Sequence, residues 1–176
     1  MSGVGFIFAG GKSRRMGEDK ATMFGGVARL QSLFEKAGVP RTVVLAGTPE
    51  RLALFEGEVW PDPKNLHGLH RLIPWAHGEV KGKVMFVPCD GFLLTEEAIR
   101  WLMEQPNGGV PTDQTGRRQP MFACIPSNHR YPANAGSVRE LLEGLPTIDS
   151  GAHAEAFTNF NTPDSVLDLR LADRRW

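Results

Sequence analysis

Short apolar runs, separated by amphipathic stretches, set the pattern along this chain. The runs at 3–9, 42–46 and 83–88 are continuous and rich in β-branched and aromatic residues, which is typical of strands buried on both faces. A shorter run at 58–61 predicts a further strand. The pattern therefore predicts several short strands in the first half of the chain.

Apolar residues at helical spacing fill the gaps between the predicted strands. Helices are predicted at about 27–37, 49–56, 68–77, 95–105 and 135–143, with a final helix beginning at Pro163. Thr95 is the expected N-cap of its helix, because two glutamates follow it in the first turn. Pro74 must kink the helix at 68–77 or lie early in a shorter one.

The second half of the chain is less regular. Two strands are predicted at 108–112 and 119–126, joined by a polar hairpin at 113–118. Alternating strands and helices predict an α/β fold. We expect a single domain over 1–176 with three layers: a doubly wound, mainly parallel sheet between helices, with an antiparallel edge.

Composition narrows the classes of function. The 176 residues carry 20 basic and 20 acidic side chains, and this zero net charge argues against nucleic acid as the main partner. No apolar run approaches the roughly 20 residues that span a bilayer, and no signal peptide is expected. Cys89 and Cys124 lie in apolar stretches and are expected to be free, buried thiols. We therefore expect a protein of the reducing cytoplasm with no membrane partner.

Candidate ligand-binding residues follow three of the predicted strands. Gly10 and Gly11 end the first strand, Asp62 follows the run at 58–61, and Asp90 follows the run at 83–88. In an open parallel sheet, ligands bind at the carboxyl ends of the strands, near the point where strand order reverses. We therefore expect these residues to share one rim of the sheet.

The stretch FAGGKSRRMGEDK, residues 8–20, concentrates positive charge at this rim. It holds four cations and two acids: Lys12, Arg14, Arg15 and Lys20, with Glu18 and Asp19. The spacing of a P-loop fails because Phe6 stands where its first glycine belongs, and no G-x-G-x-x-G follows the strand. What remains is a glycine turn whose N–H groups can face phosphate oxygens. The alternative is a solvated basic surface loop, which the glycine pair at the strand end disfavours.

Residues 9–20, AGGKSRRMGEDK, closely resemble the signature loop of the molybdenum cofactor guanylyltransferases, the MobA-like nucleotidyltransferases. Three further segments resemble family segments in the same order: VPCDGFL at 87–93, QPMFACI at 119–125 and FTNFNTPDSV at 157–166. The resemblance covers nearly the whole chain and implies a Rossmann-like nucleotidyltransferase fold.

The resemblance also implies a reaction. The family transfers GMP from GTP to the terminal phosphate of molybdopterin, or Mo-molybdopterin, and releases pyrophosphate with the help of Mg²⁺. The resemblance also implies a helper GTP-binding protein and apo-molybdoenzymes as further partners. Ala9-Gly10-Gly11 favours GTP, because cytidylyl relatives tend to carry A-A-G at this position.

Carried over residue by residue, the resemblance implies a set of site residues. Lys20, Arg15 and Asp90 would be catalytic, with Asp90 also the metal ligand. The nucleotide would be bound by Phe8, Ala9, Gly10, Gly11, Lys20, Thr48, Asp62 and Asp90, and the pterin by Asn159 and Asn161. Simpler alternatives stay open: a turn or cap for Asp90, turn chemistry for Asp62, and a helix N-cap for the segment at 159–163.

The chain departs from the family pattern at several positions. HGLHRLI at 67–73 replaces a small-residue turn, Thr48 replaces an asparagine, Gly91 stands where a proline is lost or shifted, and Gln119 replaces a histidine. The first two changes fall where base and ribose would be held. Two alternatives therefore remain: a related transferase with another base or acceptor, cytidylyl or sugar-phosphate, or a nucleotide-binding accessory protein without catalysis.

Overall fold

The computed structural model describes residues 2–11 and 19–160, and all structural statements refer to these ranges. The strands are β1 Val4–Phe8, β2 Arg41–Gly47, β3 Glu58–Pro61, β4 Val84–Pro88, β5 Val110–Pro111, β6 Cys124–Ile125 and β7 Thr147–Ile148. The α-helices are α1 Gly26–Lys36, α2 Leu69–Gly78, α3 Glu96–Glu104 and α4 Val138–Leu141. Short 3₁₀ helices span Met23–Gly25, Pro49–Leu54, Pro120–Phe122 and Gly151–Phe157. The helix predicted from Pro163 lies outside the described residues.

The main sheet of the described ranges has five strands in the order β3-β2-β1-β4-β6. All neighbours are parallel except β4 and β6, which are antiparallel. The chain runs outward from β1 through β2 to β3 and then crosses to the other side of β1 to form β4. Strand order thus reverses between β1 and β4, which is where a ligand crevice forms in such sheets. The predicted α/β fold with its antiparallel edge is confirmed.

Helices cover both faces of this sheet, because its central strands are apolar in every position. Alternate residues of β1 and β4 point to opposite faces, and both strands are buried along their whole length. On one face Ile7 and Met85 pack with residues of α1 and α3. On the other face Phe6 and Phe86 stack with ring centroids 5.0 Å apart and pack with α2 and α4. These two cores hold the carboxyl ends of β1 and β4 side by side.

The N-cap predicted for α3 is confirmed. Thr95 caps α3 by accepting a hydrogen bond from the N–H of Ala98 at 3.2 Å. Pro74 lies in the middle of α2 and not early in a shorter helix, and the carbonyl of His70 receives no hydrogen bond from it. Cys89 and Cys124 are both free thiols, as expected, but only Cys124 is buried, whereas Cys89 is partly exposed. Among the helices the structure describes, none has the length and apolar character that crossing a membrane requires.

The strands predicted in the second half were too long. The 3₁₀ helix Pro120–Phe122 interrupts the segment at 119–126 and leaves only β6 as strand, while β5 pairs in parallel with β7 in a separate two-stranded sheet. Neither β7 nor the 3₁₀ helix at Gly151–Phe157 was predicted. The polar turn was correct, since an antiparallel bridge joins Thr112 to Arg118 around it. The predicted helix at 135–143 shortens to the single turn of α4.

Candidate active site

A cleft of about 390 Å³ opens at the carboxyl ends of β1, β2 and β4. Its lining in the described residues comprises Phe8, Gly10, Gly11, Lys20, Leu45, Asp62, Leu66, Gly68, Leu69, Leu72, Pro88, Cys89, Asp90 and Met121. The volume falls within the range of small-molecule sites, roughly 300–1,000 Å³. The cleft combines an apolar wall from α2 and the segment before it with polar groups from the strand ends, which suits a ligand with a ring system and a charged tail.

The glycine turn after β1 packs directly against the end of β2. A Cβ atom on Gly10 would lie 2.6 Å from the Cα of Gly47, and a Cβ on Gly47 would lie 2.7 Å from the Cα of Gly10. Gly47 also has φ +83°, a conformation that L side chains rarely adopt. A Cβ on Gly11 would meet no atom within 4 Å. Gly10 is therefore required by the fold itself, whereas Gly11 faces open space in the cleft.

Lys20 and Asp90 form an ion pair at this cleft. The Nζ atom of Lys20 lies 2.7 Å from Oδ2 of Asp90 and also donates a hydrogen bond to the carbonyl of Phe160 at 2.6 Å. Asp90 sits in the tight turn that follows β4, where the N–H of Gly91 donates to the carbonyl of Pro88. The rim predicted from the sequence therefore places a cation and a carboxylate from distant segments in contact.

Asp62 follows β3 directly and lines the same cleft. Its N–H donates to the carbonyl of Gly47 at 2.7 Å, which holds the residue against the end of β2. Its Oδ1 atom is buried and has no hydrogen-bond partner among the described atoms. Burial raises the pKa of the Asp62 carboxyl, and a hydrogen bond with the Gly47 backbone opposes that shift. A buried acceptor of this kind needs a donor, which a ligand in the cleft can supply.

The other residues predicted for the site divide into three groups. Phe8 lines the cleft, while Ala9 is buried behind the glycine turn. Thr48 is exposed and does not line the cleft, and Asn159 is half-buried beside Phe160. Arg15 and Asn161 lie outside the described residues. The roles assigned to all of these residues remain predictions.

The bulky side chains of His70 and Arg71, which were expected where base and ribose would be held, do not line the cleft. His70 and Arg71 line a separate groove of about 770 Å³ with Tyr131, and Leu66 is the residue that this groove shares with the cleft. The phase of α2 explains the difference, because residues three apart on a helix lie on the same face. Leu69 and Leu72 therefore face the cleft.

The apolar wall itself was missed in the sequence. Leu69 and Leu72 come from α2, Leu66 precedes it, and Met121 comes from the 3₁₀ helix Pro120–Phe122. The three-residue spacing of Leu69 and Leu72 after Gly68 could have indicated that both leucines lie on one face of this helix. No sequence pattern indicated that Met121 lines the cleft, because its position depends on how the second half of the chain packs on β4.

The residues present fit a bound Mg²⁺ that also takes ligands from a substrate. In the part of the chain that the structure describes, no group of three or more metal-binding side chains occurs. Magnesium usually takes one or two carboxylates together with phosphate oxygens. Asp90 lies in the cleft and is 6% exposed, and Asp62, whose Oδ1 has no hydrogen-bond partner among the described atoms, lines the same cleft. Asp90 with substrate phosphates meets that requirement.

Comparison with known proteins agrees with this architecture. The family model for the MobA-like NTP transferase domain matches residues 5–152. A relative from Pelotomaculum thermopropionicum, named "Probable molybdenum cofactor guanylyltransferase", is 34% identical over 197 residues, covering 97% of this chain and 93% of its own. The molybdenum cofactor guanylyltransferase of Xanthomonas euvesicatoria pv. vesicatoria is 29% identical over 177 residues, covering 92% of this chain and 90% of its own.

Solved structures share the fold at low sequence identity. A nucleotidyl transferase from Methanothermobacter thermautotroptrophicus superposes with a TM-score of 0.73 at 16% identity, covering 97% of this chain and 96% of that one. At this identity the likeness concerns the fold alone. The family model and the two relatives carry the assignment further: this chain belongs to the MobA-like NTP transferase family and is a nucleotidyltransferase.

Proposed function

We propose that this protein is a molybdenum cofactor guanylyltransferase, which transfers GMP from GTP to the terminal phosphate of molybdopterin and releases pyrophosphate. One observation carries the proposal: Lys20 and Asp90 meet 2.7 Å apart in a nucleotide-sized cleft, beside the Gly10-Gly11 turn. Two relatives with guanylyltransferase names align along nearly the whole chain and support it. The A-G-G form of the loop favours guanine over cytosine.

The proposed chemistry needs charge stabilisation more than covalent help from the protein. An oxygen of the acceptor phosphate bonds to the α-phosphorus of GTP, while the bond from that phosphorus to the bridging oxygen of pyrophosphate breaks. In this proposal the backbone N–H groups of Gly10 and Gly11 bind the phosphates, and Lys20 offsets the negative charge that grows around the α-phosphate. Asp90 holds Mg²⁺, which when bound neutralises charge on the phosphate oxygens.

The apolar wall and Asp62 serve the nucleoside in this proposal. Phe8, Leu69 and Leu72 offer the ring system a dry surface, and the buried Oδ1 of Asp62 accepts a hydrogen bond from the nucleotide. Asn159 adjoins Phe160, whose carbonyl holds Lys20, so the proposed pterin segment lies next to the reacting phosphate. Apo-molybdoenzymes and a helper GTP-binding protein remain predicted partners.

The proposal is tested by turnover with the purified protein, Mg²⁺ and molybdopterin, with GTP and CTP supplied in separate reactions. We expect molybdopterin guanine dinucleotide and pyrophosphate from GTP, detected by mass spectrometry and a coupled pyrophosphate assay. Preferential turnover of CTP would instead identify a cytidylyltransferase. GTP binding without turnover of either nucleotide would identify an accessory protein.

A further inference from the structure

Arg51 extends from the 3₁₀ helix Pro49–Leu54 to the underside of the glycine turn. Its Nη2 atom donates to the carbonyl of Ala9 at 2.8 Å and lies 2.9 Å from Oδ2 of Asp19. Its Nε atom donates to the carbonyl of Ala46 at 3.1 Å. One guanidinium therefore joins the end of β2 to two residues, Ala9 and Asp19, of the stretch at 8–20.

The three acceptors share a position relative to the site. Ala9 precedes Gly10, Asp19 precedes Lys20, and Ala46 precedes Gly47. Gly10 and Gly47 make the close backbone contact beneath the turn, and Lys20 pairs with Asp90. Two of the groups held by Arg51 are thus one residue from the cleft-lining residues Gly10 and Lys20, and the third is one residue from Gly47, which packs against Gly10.

We propose that Arg51 is a positioning residue for phosphate binding, which holds the glycine turn and Lys20 in register and neutralises the carboxylate of Asp19. The inference rests on the proposed nucleotide-binding function and deepens it. No role at the site was assigned to Arg51 from the sequence, because the side chain acts through Asp19 and two carbonyls.

Two further contacts fit this role. The other carboxylate oxygen of Asp19, Oδ1, accepts from the N–H of Ala21 at 3.0 Å, so the carboxylate links Arg51 to the residue that follows Lys20. The guanidinium carbon of Arg51 lies 5.7 Å from the ring centroid of Phe55, within the range of a cation–π contact. With side chains 22% and 33% exposed, the Arg51–Asp19 pair is only partly screened by solvent.

The charge of Asp19 predicts an effect on nucleotide affinity that lost geometry alone would not produce. A carboxylate next to Lys20 opposes the binding of a triphosphate unless a cation offsets it. Arg51, 2.9 Å from Oδ2 of Asp19, supplies that cation. Removing the guanidinium should therefore weaken nucleotide binding in two ways, through lost geometry and through an uncovered negative charge, and only the second is relieved by Asp19→Asn.

The test compares GTP affinity, measured by calorimetry with Mg²⁺, among the wild type, Arg51→Met, Arg51→Lys, Asp19→Asn and the double variant Arg51→Met/Asp19→Asn. We expect Arg51→Met to raise the Kd about ten- to hundredfold, the scale of a charge-assisted hydrogen bond. Arg51→Lys should recover part of the affinity, because it keeps the charge without the fork. The double variant should bind GTP more tightly than Arg51→Met alone.

Arg41→Met is the matched control, since Arg41 also forms a paired contact with a carboxylate, that of Glu58, at the opposite end of β2. Its GTP affinity should equal that of the wild type. Circular dichroism reports folding, and Arg51→Lys keeps the comparison usable if Arg51→Met does not fold.

Three outcomes overturn the inference. The first is unchanged GTP affinity in folded Arg51→Met or, if that variant does not fold, in Arg51→Lys. The second is additive loss in the double variant, which would mean that Arg51 and Asp19 are not coupled. The third is a wild type that binds no GTP, which overturns the proposed function and with it this inference.

Discussion

The ammonium nitrogen of Lys20 lies 2.7 Å from Oδ2 of Asp90, although 70 residues separate them in the chain. The side chains are only 15% and 9% exposed, so solvent screens this ion pair weakly. The pair spans the point where strand order reverses, with Lys20 approaching from the β1 side and Asp90 from the end of β4. It places a cation and a carboxylate side by side in the cleft, where the proposed reaction needs both.

Replacing Lys20 with alanine should lower kcat by about 100- to 1,000-fold, the scale of losing one preorganised donor at a developing negative charge. Steady-state turnover of GTP with molybdopterin measures the effect. Lys64→Ala is the control, because Lys64 is exposed and does not line the cleft. Near-normal kcat in folded Lys20→Ala would remove Lys20 from the mechanism.

Asp90→Asn should reduce activity steeply at low Mg²⁺ and recover part of it as Mg²⁺ is raised. The amide keeps an oxygen ligand of similar volume but loses the charge that a hard dication prefers. Turnover measured against Mg²⁺ concentration for both proteins checks this. If Asp90 only caps a turn, the substitution should be nearly silent at every concentration, since asparagine caps about as well as aspartate.

Valine at Gly11 and valine at Gly10 should have opposite consequences. Gly11→Val should leave Tm nearly unchanged and abolish GTP binding, because its side chain would occupy open space in the cleft. Gly10→Val should lower the free energy of unfolding by at least about 1–3 kcal/mol, since its Cβ would collide with the backbone of Gly47. Thermal unfolding and calorimetry separate the two effects. Unchanged GTP affinity in Gly11→Val would exclude the turn from phosphate binding.

Asp62→Asn should stabilise the protein at neutral pH while weakening GTP binding. Burial raises the pKa of Asp62 above its ordinary value of 3.8, so the folded state binds its proton more tightly than the unfolded state does. Wild-type stability therefore falls as pH rises from about the ordinary value through the folded pKa, and the penalty is complete above it. The Tm advantage of Asp62→Asn should be largest at high pH and vanish on acidification below the ordinary value. An advantage that does not vary with pH would contradict this account.

Phe160→Ala should lower kcat by about ten- to hundredfold, because small displacements of a catalytic group are costly. The Phe160 carbonyl holds Lys20, and its ring packs 5.4 Å from that of Phe92, two residues after Asp90. Phe92 in turn contacts Phe24, which has the unusual φ of +48° for a residue other than glycine. Phe160→Leu should retain most of the activity, since it refills the cluster.

The control for this cluster is Leu54→Ala, because Leu54 is 57% exposed and packs in none of the described cores. Equal losses of kcat in Phe160→Ala and Leu54→Ala would show that the effect does not arise from the position of Lys20.

The strands that carry the site were predictable because each is an uninterrupted apolar run. β1, β2 and β4 are long enough for their composition to identify them, and the rules for parallel sheets then bring Asp62 and Asp90 to one rim. β5, β6 and β7 are two residues each, too short for any periodicity, so their pairing depends on packing across the whole second half. Leu69 lines the cleft and His70 the separate groove, and this division could be predicted only from the residue at which α2 begins, Leu69. The Arg51 contacts with Ala9 and Asp19 join residues far apart in the chain, so no local sequence pattern predicts them.

The contact between Gly10 and Gly47 limits how portable the glycine-rich loop is. The loop's own sequence does not contain the residue that makes room for it, because Gly47 belongs to a different strand and adopts φ +83°. A protein engineer who transplanted residues 8–20 onto another parallel sheet would therefore import a steric conflict, unless the acceptor strand also ended in glycine. For the same reason Gly10 and Gly47 constrain each other during evolution, because a side chain at either position would collide with the backbone of the other.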